Sequence, residues 1–164
     1  MADLLFKIGD FVVFINFVAL ILFVKSGSKD ESILWSLVVL CIFNGMMHCW
    51  GYFLKSKFGV YDRELMRHLW YLSFSIFYLA ATSFLFTIHV FREVRASKFA
   101  MLVSASFVVI AMVTVLRYVS YVLLNVDSDL LRKVYQYSIP YVNICVAFSA
   151  VFVTIKNRVF KRSL

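Results

Sequence analysis

The stretch FVVFINFVALILFV, residues 11–24, decides the fold class, because it contains a single polar residue, Asn16. A second stretch, FVVIAMVTVL at residues 107–116, is interrupted only by Thr114. Neither shows the alternation of apolar and polar residues that a membrane β-barrel strand carries over about 10 positions. In a bilayer the backbone must satisfy its own hydrogen bonds, so long apolar runs form helices. The sequence therefore predicts an all-α integral membrane protein.

The composition of the whole chain agrees with this prediction. Of its 164 residues, 63% are hydrophobic and 16% are charged, whereas soluble domains have roughly 45–50% and about 25%. Outward from the two stretches we find five apolar segments, each near the length of about 20 residues that crosses a ~30 Å hydrocarbon core. The predicted bundle has spans near 4–24, 33–54, 69–91, 99–124 and 135–155.

The segments between the spans are short, so residues 1–164 are predicted to form one transmembrane domain without a soluble domain. No Walker loop, G-x-G-x-x-G turn or H-E-x-x-H motif occurs, and a nucleotide-binding fold has no room. The first segment lacks the A-x-A cleavage pattern of a signal peptide, which favours a retained span. It also carries Lys7, Asp10 and Asn16, so four spans plus a surface helix are the alternative.

The positive charges bear on orientation and partners. Nine Lys and Arg residues lie on the side of the C-terminus and seven on the side of the N-terminus. By the positive-inside rule this bias predicts an outside N-terminus and a cytoplasmic C-terminus in a bacterial-type inner membrane. The net charge of +8 favours contact with anionic lipid headgroups over nucleic acid, unless it only fixes the topology. The residues predicted to contact such lipids are Lys156, Arg158, Lys161 and Arg162.

Polar side chains inside the spans are costly in lipid unless they are partnered or hydrated. Asn44, His48, Arg117 and Asn143 are predicted at similar depth in the half of the membrane nearer the N-terminus, with Tyr121 one turn after Arg117. These five residues either line a polar cavity that opens to that side or connect helices as packing contacts. Arg117 itself either extends to the headgroups or takes partners from the same cluster.

A small-residue pattern marks the start of the fourth span, where Ala96, Ala100 and Ser104 recur every four residues. Such small-xxx-small seams allow a second helix to approach closely. The seam predicts a homo-oligomer or a place in a larger membrane complex, although a helix of the same chain can fill it equally well.

The histidines raise one redox possibility, because membrane haem proteins place histidine ligands on facing helices. His48 and His68 lie toward the same side and are the alternative ligands of haem b, with a quinone near His48 as a weaker version. Interfacial or hydrogen-bonded histidines are the simpler interpretation. Three cysteines occur without a C-x-x-C motif, so no metal site is predicted. Serine hydrolase chemistry is not expected, because neither a G-x-S-x-G turn nor a carboxylate–histidine pair is apparent.

The sequence predicts a small non-enzymatic polytopic membrane protein that acts as a subunit of an oligomeric membrane complex. A channel or pore and a membrane-perturbing or sensing effector are versions of this role. It predicts no catalytic residue and no cofactor. The alternative is a haem- or quinone-binding redox membrane anchor, and the absorption spectrum of the purified protein separates the two hypotheses.

Overall fold

A computed structural model describes residues 2–162, including all of their side chains except those of residues 2–5, 158 and 160–162. No strand occurs among residues 2–162. The predicted all-α fold is therefore confirmed. A five-residue π-helical turn, Val119–Leu123, continues the fourth helix. The helices are α1 Ala2–Ser26, α2 Glu31–Lys57, α3 Arg63–Phe91, α4 Lys98–Tyr118 and α5 Asp129–Arg162.

All five helices are long and apolar enough to cross a membrane, as the five apolar segments predicted. Helices α1, α2, α3 and α5 extend beyond their predicted segments, because charged and capping residues add turns at the ends. The fourth segment, predicted at 99–124, forms α4 only as far as Tyr118, and the π-helical turn continues it to Leu123. The longest extension is at the end of α5, which continues through the basic residues to Arg162. The candidate membrane spans are Phe6–Ser26, Glu31–Lys57, Arg63–Phe91, Lys98–Leu123 and Asp129–Asn157.

Local sequence signals set the helix boundaries. Gly27 ends α1 with a φ of 63°, a conformation that glycine adopts without steric cost. The carboxylate of Asp30 caps α2 by accepting the N–H of Ile33 at 3.0 Å. Asp62 caps α3 in the same manner and accepts two backbone N–H groups. These caps satisfy donors that the first turn of a helix leaves unpaired.

The five helices form a closed ring. Each helix packs against the next along the chain, α5 returns to pack against α1, and α2 also contacts α4 across the interior. We call the side of the bundle where α1 begins the N-terminal side, and the side where α5 ends the C-terminal side. The half nearer the C-terminal side is filled by a buried apolar core that includes Phe23, Leu37, Leu85, Phe107 and Ala150.

A buried hydrogen-bond network holds three helices together at the C-terminal side. His89 on α3 donates from Nδ1 to the carbonyl oxygen of Leu85 at 2.8 Å, so in the neutral ring Nε2 is an acceptor. The hydroxyl of Ser32 on α2 donates to this Nε2 at 2.8 Å. The same hydroxyl oxygen accepts the backbone N–H of Ser97, the N-cap of α4, at 2.8 Å.

We expect Ser32→Ala to destabilise the protein by about 1–3 kcal/mol, because it leaves two largely buried polar groups without a partner. Ser36→Ala is the matched control. Ser36 is also buried on α2, but its hydroxyl bonds only to the backbone of its own helix. Unfolding in mixed SDS and dodecyl maltoside micelles measures both variants. Equal stabilities of the two variants would contradict a network that joins the three helices.

Candidate functional site

A cavity of about 520 Å³ occupies the half of the bundle nearer the N-terminal side, and all five helices contribute to its wall. Lys55 at the end of α2 and Arg67 at the start of α3 lie at its outer end, where both side chains are exposed. Asn44, Thr114 and Asn143 lie deepest, next to the apolar core. The cavity is therefore open to one side of the bundle and closed by packed side chains below.

Three of the five residues in the predicted polar cluster line this cavity: Asn44, His48 and Asn143. Arg117 and Tyr121 do not belong to its lining. Arg117 lies one layer behind the wall, where it interacts with Tyr71, a residue that does line the cavity. The structure thus divides the predicted cluster into a cavity wall and a neighbouring arginine site.

His48 makes a contact that was not expected from the sequence. Its Nε2 lies 2.6 Å from Oδ1 of Asp10 on α1, and the hydroxyl of Tyr52 donates to the other carboxylate oxygen at 3.2 Å. The expectation that the chain contains no carboxylate–histidine pair was wrong. The pair was missed because it depends on the register between α1 and α2, which a single sequence does not show.

Close approach of these two helices is possible because residue 9 is glycine. A Cβ atom at Gly9 would lie 2.8 Å from Nδ1 of His48, which is closer than real Cβ contacts permit. The imidazole consequently lies directly over the backbone of α1. Gly9 and His48 both line the cavity.

Arg117 is buried, with 4% of its surface exposed, and its guanidinium reaches out of the span to the loop before α5. Its Nη2 donates to Oδ1 of Asp127 at 2.7 Å. The hydrogen bond from Arg117 holds the pKa of the Asp127 carboxyl below its ordinary value of 3.8. In the described part of the chain the other terminal nitrogen, Nη1, is buried without a hydrogen-bond partner. Arg117 is thus drawn into the bundle and takes its ionic partner from the loop before α5. Extension to the headgroups stays a prediction.

A second guanidinium lies close to the first. The Cζ atoms of Arg67 and Arg117 lie 4.9 Å and 4.4 Å from the centre of the Tyr121 ring, which are cation–π distances. Of the partners predicted for Arg117, Tyr121 is the one it contacts, whereas its ionic partner, Asp127, was missed. Arg67 also lines the cavity, so this arrangement adds positive charge beside its outer end.

Aromatic side chains form much of the wall between α3 and α5. Trp70 donates its indole N–H to the hydroxyl of Tyr135 at 3.0 Å, and the rings of Tyr71 and Tyr135 lie 5.4 Å apart. These hydrogen-bonded and edge-on contacts fix the rings relative to one another. The wall therefore presents flat apolar surfaces whose polar atoms are already partnered.

Pro140 lies inside α5 and lines the cavity. Proline has no N–H, so the carbonyl oxygen of Gln136, four residues earlier, lacks its usual helical partner. Gln136 also lines the cavity. This carbonyl group thus belongs to a residue of the cavity wall.

The predicted small-residue seam is used within the chain. Ala96 precedes α4, which begins at Lys98, so only Ala100 and Ser104 belong to the helix. Ala100 is buried, with 2% of its surface exposed. All three residues border a groove of about 300 Å³ that they share with residues of α3 such as Leu85 and Phe86. Ala100 and Ser104 therefore border α3 of the same chain, and association of a second chain through this seam stays a prediction.

Ala100→Leu is expected to destabilise the single chain by about 1–3 kcal/mol, because Ala100 is buried and added methylenes overpack its buried contacts. Met101→Leu, at an exposed neighbouring position on α4, is the control and should leave stability unchanged. Unfolding in mixed micelles and mass in lipid nanodiscs measure the two effects. A change in oligomer mass for Ala100→Leu at wild-type stability would place the seam between chains instead.

The predicted haem ligands do not share a site. His48 pairs with Asp10 on α1, whereas Nδ1 of His68 lies 2.9 Å from the hydroxyl of Tyr118 at the end of α4. His68 is not part of the cavity lining. Each imidazole therefore has a different partner in this structure, and a haem held by the two histidines stays a prediction. Among the described residues, no group of three or more His, Cys, Asp or Glu side chains is placed to hold a metal ion.

The basic tail forms the last turns of α5 on the C-terminal side. Lys156 is exposed there, which leaves it accessible to headgroups. Arg158, Lys161 and Arg162 continue the same helix, but their side chains lie outside the described ones. The predicted contact with anionic lipid stays a prediction.

No protein-family model, curated protein or solved structure matches this chain. The functional conclusion therefore depends on the cavity and its chemistry.

Proposed function

We propose that the protein is a non-enzymatic membrane protein that binds a small amphipathic molecule in its central cavity and acts as the sensing subunit of a membrane complex. The observation that carries the proposal is the cavity of about 520 Å³ enclosed by all five helices. Small-molecule sites have volumes of about 300–1,000 Å³ and combine apolar walls with a few polar groups. The cavity lies within this range of volumes, and its wall is largely apolar with a few polar side chains.

The wall chemistry supports a ligand with a flat apolar body and a polar head. Trp70, Tyr71, Phe74 and Tyr135 offer aromatic surfaces, and Asn44, His48 and Asn143 add polar groups. Lys55 and Arg67 line the outer end, and among the described lining residues none is Asp or Glu. A cavity with this balance attracts neutral or electron-rich groups and disfavours cations.

The filled half of the bundle favours a binding protein over a channel formed by one chain. A pore through a single copy would have to pass between Leu37, Leu85 and Phe107, which are at most 2% exposed. Homo-oligomers and larger complexes belong to the proposal, and the burial of Ala100 within the chain argues against this residue as their contact. The charge bias supports an inner-membrane orientation with the cavity open to the outside.

A quinone also has a flat apolar body and a polar head. The redox alternative is therefore a quinone bound in the cavity. His48 on the cavity wall is the observation that favours it, because the hydroxyl groups of the reduced form, a quinol, can donate to an imidazole nitrogen. A quinone that copurifies with the protein would be identified from its absorption spectrum before and after reduction with borohydride.

Filling the cavity tests the proposal. We expect Ile139→Trp combined with Asn143→Phe to remove saturable binding of 1-naphthol, a fluorescent probe with a flat apolar body, because both side chains lie on the α5 wall. Tyr141→Trp is the matched control, since Tyr141 lies on α5 between them and is 70% exposed. Binding that is unchanged in the filled variant, or absent from the wild type, would overturn the proposal.

A further inference from the structure

We infer that the polar head of the ligand is a phenol-type hydroxyl group that donates a hydrogen bond to Nδ1 of His48, an inference that rests on the proposed function of the cavity. The site is formed by Gly9 and Asp10 of α1 with His48, Tyr52 and Lys55 of α2. These residues specify which atom of the imidazole faces the ligand and which ligand chemistry it accepts.

The contact with Asp10 determines where the imidazole proton lies. An ionised carboxylate only accepts hydrogen bonds, so at 2.6 Å Nε2 of His48 is the donor to Oδ1. The hydroxyl of Tyr52 donates to Oδ2, so each carboxylate oxygen has a donor. In the neutral ring Nδ1 then carries a lone pair and no proton, as the partner of one ring nitrogen fixes the role of the other.

The geometry at Gly9 leaves Nδ1 accessible. No described residue donates a hydrogen bond to this atom, and it is not among the fully enclosed polar atoms without a partner. A Cβ at residue 9 would lie 2.8 Å from Nδ1 and 2.9 Å from Cε1, so any other residue would occupy the space in front of the ring. Glycine therefore keeps an acceptor open on a wall that is otherwise largely apolar.

The surrounding rings favour an aromatic hydroxyl. The Tyr52 ring meets the imidazole edge-on with centres 4.9 Å apart, and the Phe6 ring lies 6.3 Å from it. Nζ of Lys55 lies 4.8 Å from the centre of the Phe6 ring. A flat ring can stack on Phe6, which lines the cavity together with His48. The hydrogen bond forms without transfer of a proton or an electron.

Three naphthalene probes distinguish the possible polar head groups of the ligand, because all three have the same apolar body. They are 1-naphthol, which donates a hydrogen bond, 1-fluoronaphthalene, which has no donor, and 1-naphthoate, which is an anion. We expect the wild type to bind 1-naphthol about tenfold more tightly than 1-fluoronaphthalene, the effect of one hydrogen bond of about 1.4 kcal/mol. Equal binding of these two probes would overturn the inference and leave the cavity as a ligand site. Preferential binding of 1-naphthoate would also overturn it, because a carboxylate has no proton to donate to Nδ1.

Gly9→Ala should remove the preference for 1-naphthol, since the new methyl group displaces the imidazole, and leave the affinity for 1-fluoronaphthalene unchanged. Gly45→Ala is the matched control, because a Cβ there meets no atom within 4 Å. His48→Phe keeps an aromatic ring without Nδ1 and should lose the preference even where Gly9→Ala fails to fold. Retention of the preference in His48→Phe would overturn the inference. Failure of all three probes to bind the wild type would instead overturn the proposed function together with this inference.

Discussion

Asp127→Asn is expected to lower the thermal stability of the protein more than Arg117→Met does, although both substitutions break the same hydrogen bond. Arg117 has 5% of its side chain exposed, whereas Asp127 has 49%. Without the carboxylate, a buried cation loses its anion, which is the more costly loss. Without the guanidinium, the carboxylate is hydrated by water and a methionine of similar volume fills the space, so we expect Arg117→Met to stay within about 1.5 kcal/mol of the wild type.

The double variant Arg117→Met, Asp127→Asn completes the comparison and should recover most of the stability that Asp127→Asn loses. Melting temperatures of the four proteins in dodecyl maltoside measure this order. The wild type should also lose the stability contributed by the Asp127 carboxylate on acidification. The folded state lowers the pKa of this carboxyl from its ordinary value of 3.8. The contribution is therefore complete at pH values above 3.8 and is lost as the pH falls through the lowered pKa of the folded state. Asp127→Asn should lack this part of the pH dependence. A double variant less stable than Asp127→Asn would show that Arg117 stabilises the fold through its other contacts.

Asn16→Val is expected to stabilise the protein by about 1–3 kcal/mol, because a buried amide without hydrogen bonds is costly. Asn16 is fully buried on α1, and in the described part of the chain both polar atoms of its amide lack a partner. Asn44→Val is the matched control. Asn44 is buried on α2 but lines the cavity, so its replacement should give no such gain. Unfolding in mixed micelles compares the variants, and a loss of stability in Asn16→Val would mean that an ordered water or ligand satisfies the amide.

The helices were predictable because their apolar segments are almost unbroken. The run from Phe11 to Val24 needs no partner to be identified as a span, and charged or glycine residues mark where each span ends. The closed ring of helices and the position of the cavity were harder to predict from the sequence. Both depend on how each helix is rotated about its axis relative to its neighbours. Helical periodicity nevertheless placed Asn44, His48 and Asn143 at a common depth, and the structure gives them a common cavity.

The partners of the polar residues could not be predicted, for two physical reasons. Asp10 meets His48 through the register between two helices, and local periodicity carries no information about that register. Asp127 lies ten residues after Arg117 and reaches it only because a π-helical turn and the following loop fold back. The aromatic wall was missed because Trp70 and Tyr71 lie near the membrane boundary, where aromatic residues are common for a different reason. A glycine next to an acid within an apolar helix, as at Gly9 and Asp10, was the local signal for a close polar contact.

Cysteine accessibility tests the central claim most directly. In a background without Cys41, Cys49 and Cys145, single cysteines replace Asn143 in the cavity and Ala147, which is 1% exposed and lies one turn further into the packed core. Ser56→Cys and Arg95→Cys mark the N-terminal and C-terminal sides, where both residues are exposed.

A membrane-impermeant maleimide is added to intact cells and, separately, to inverted membranes. With the N-terminal side outside, we expect Ser56→Cys and Asn143→Cys to react in intact cells and Arg95→Cys to react only in inverted membranes. Excess 1-naphthol should protect Asn143→Cys but not Ser56→Cys, and Ala147→Cys should react from neither side. An unreactive Asn143→Cys beside a reactive Ser56→Cys would contradict the open cavity, and reaction of Ala147→Cys from the C-terminal side would contradict its closed end.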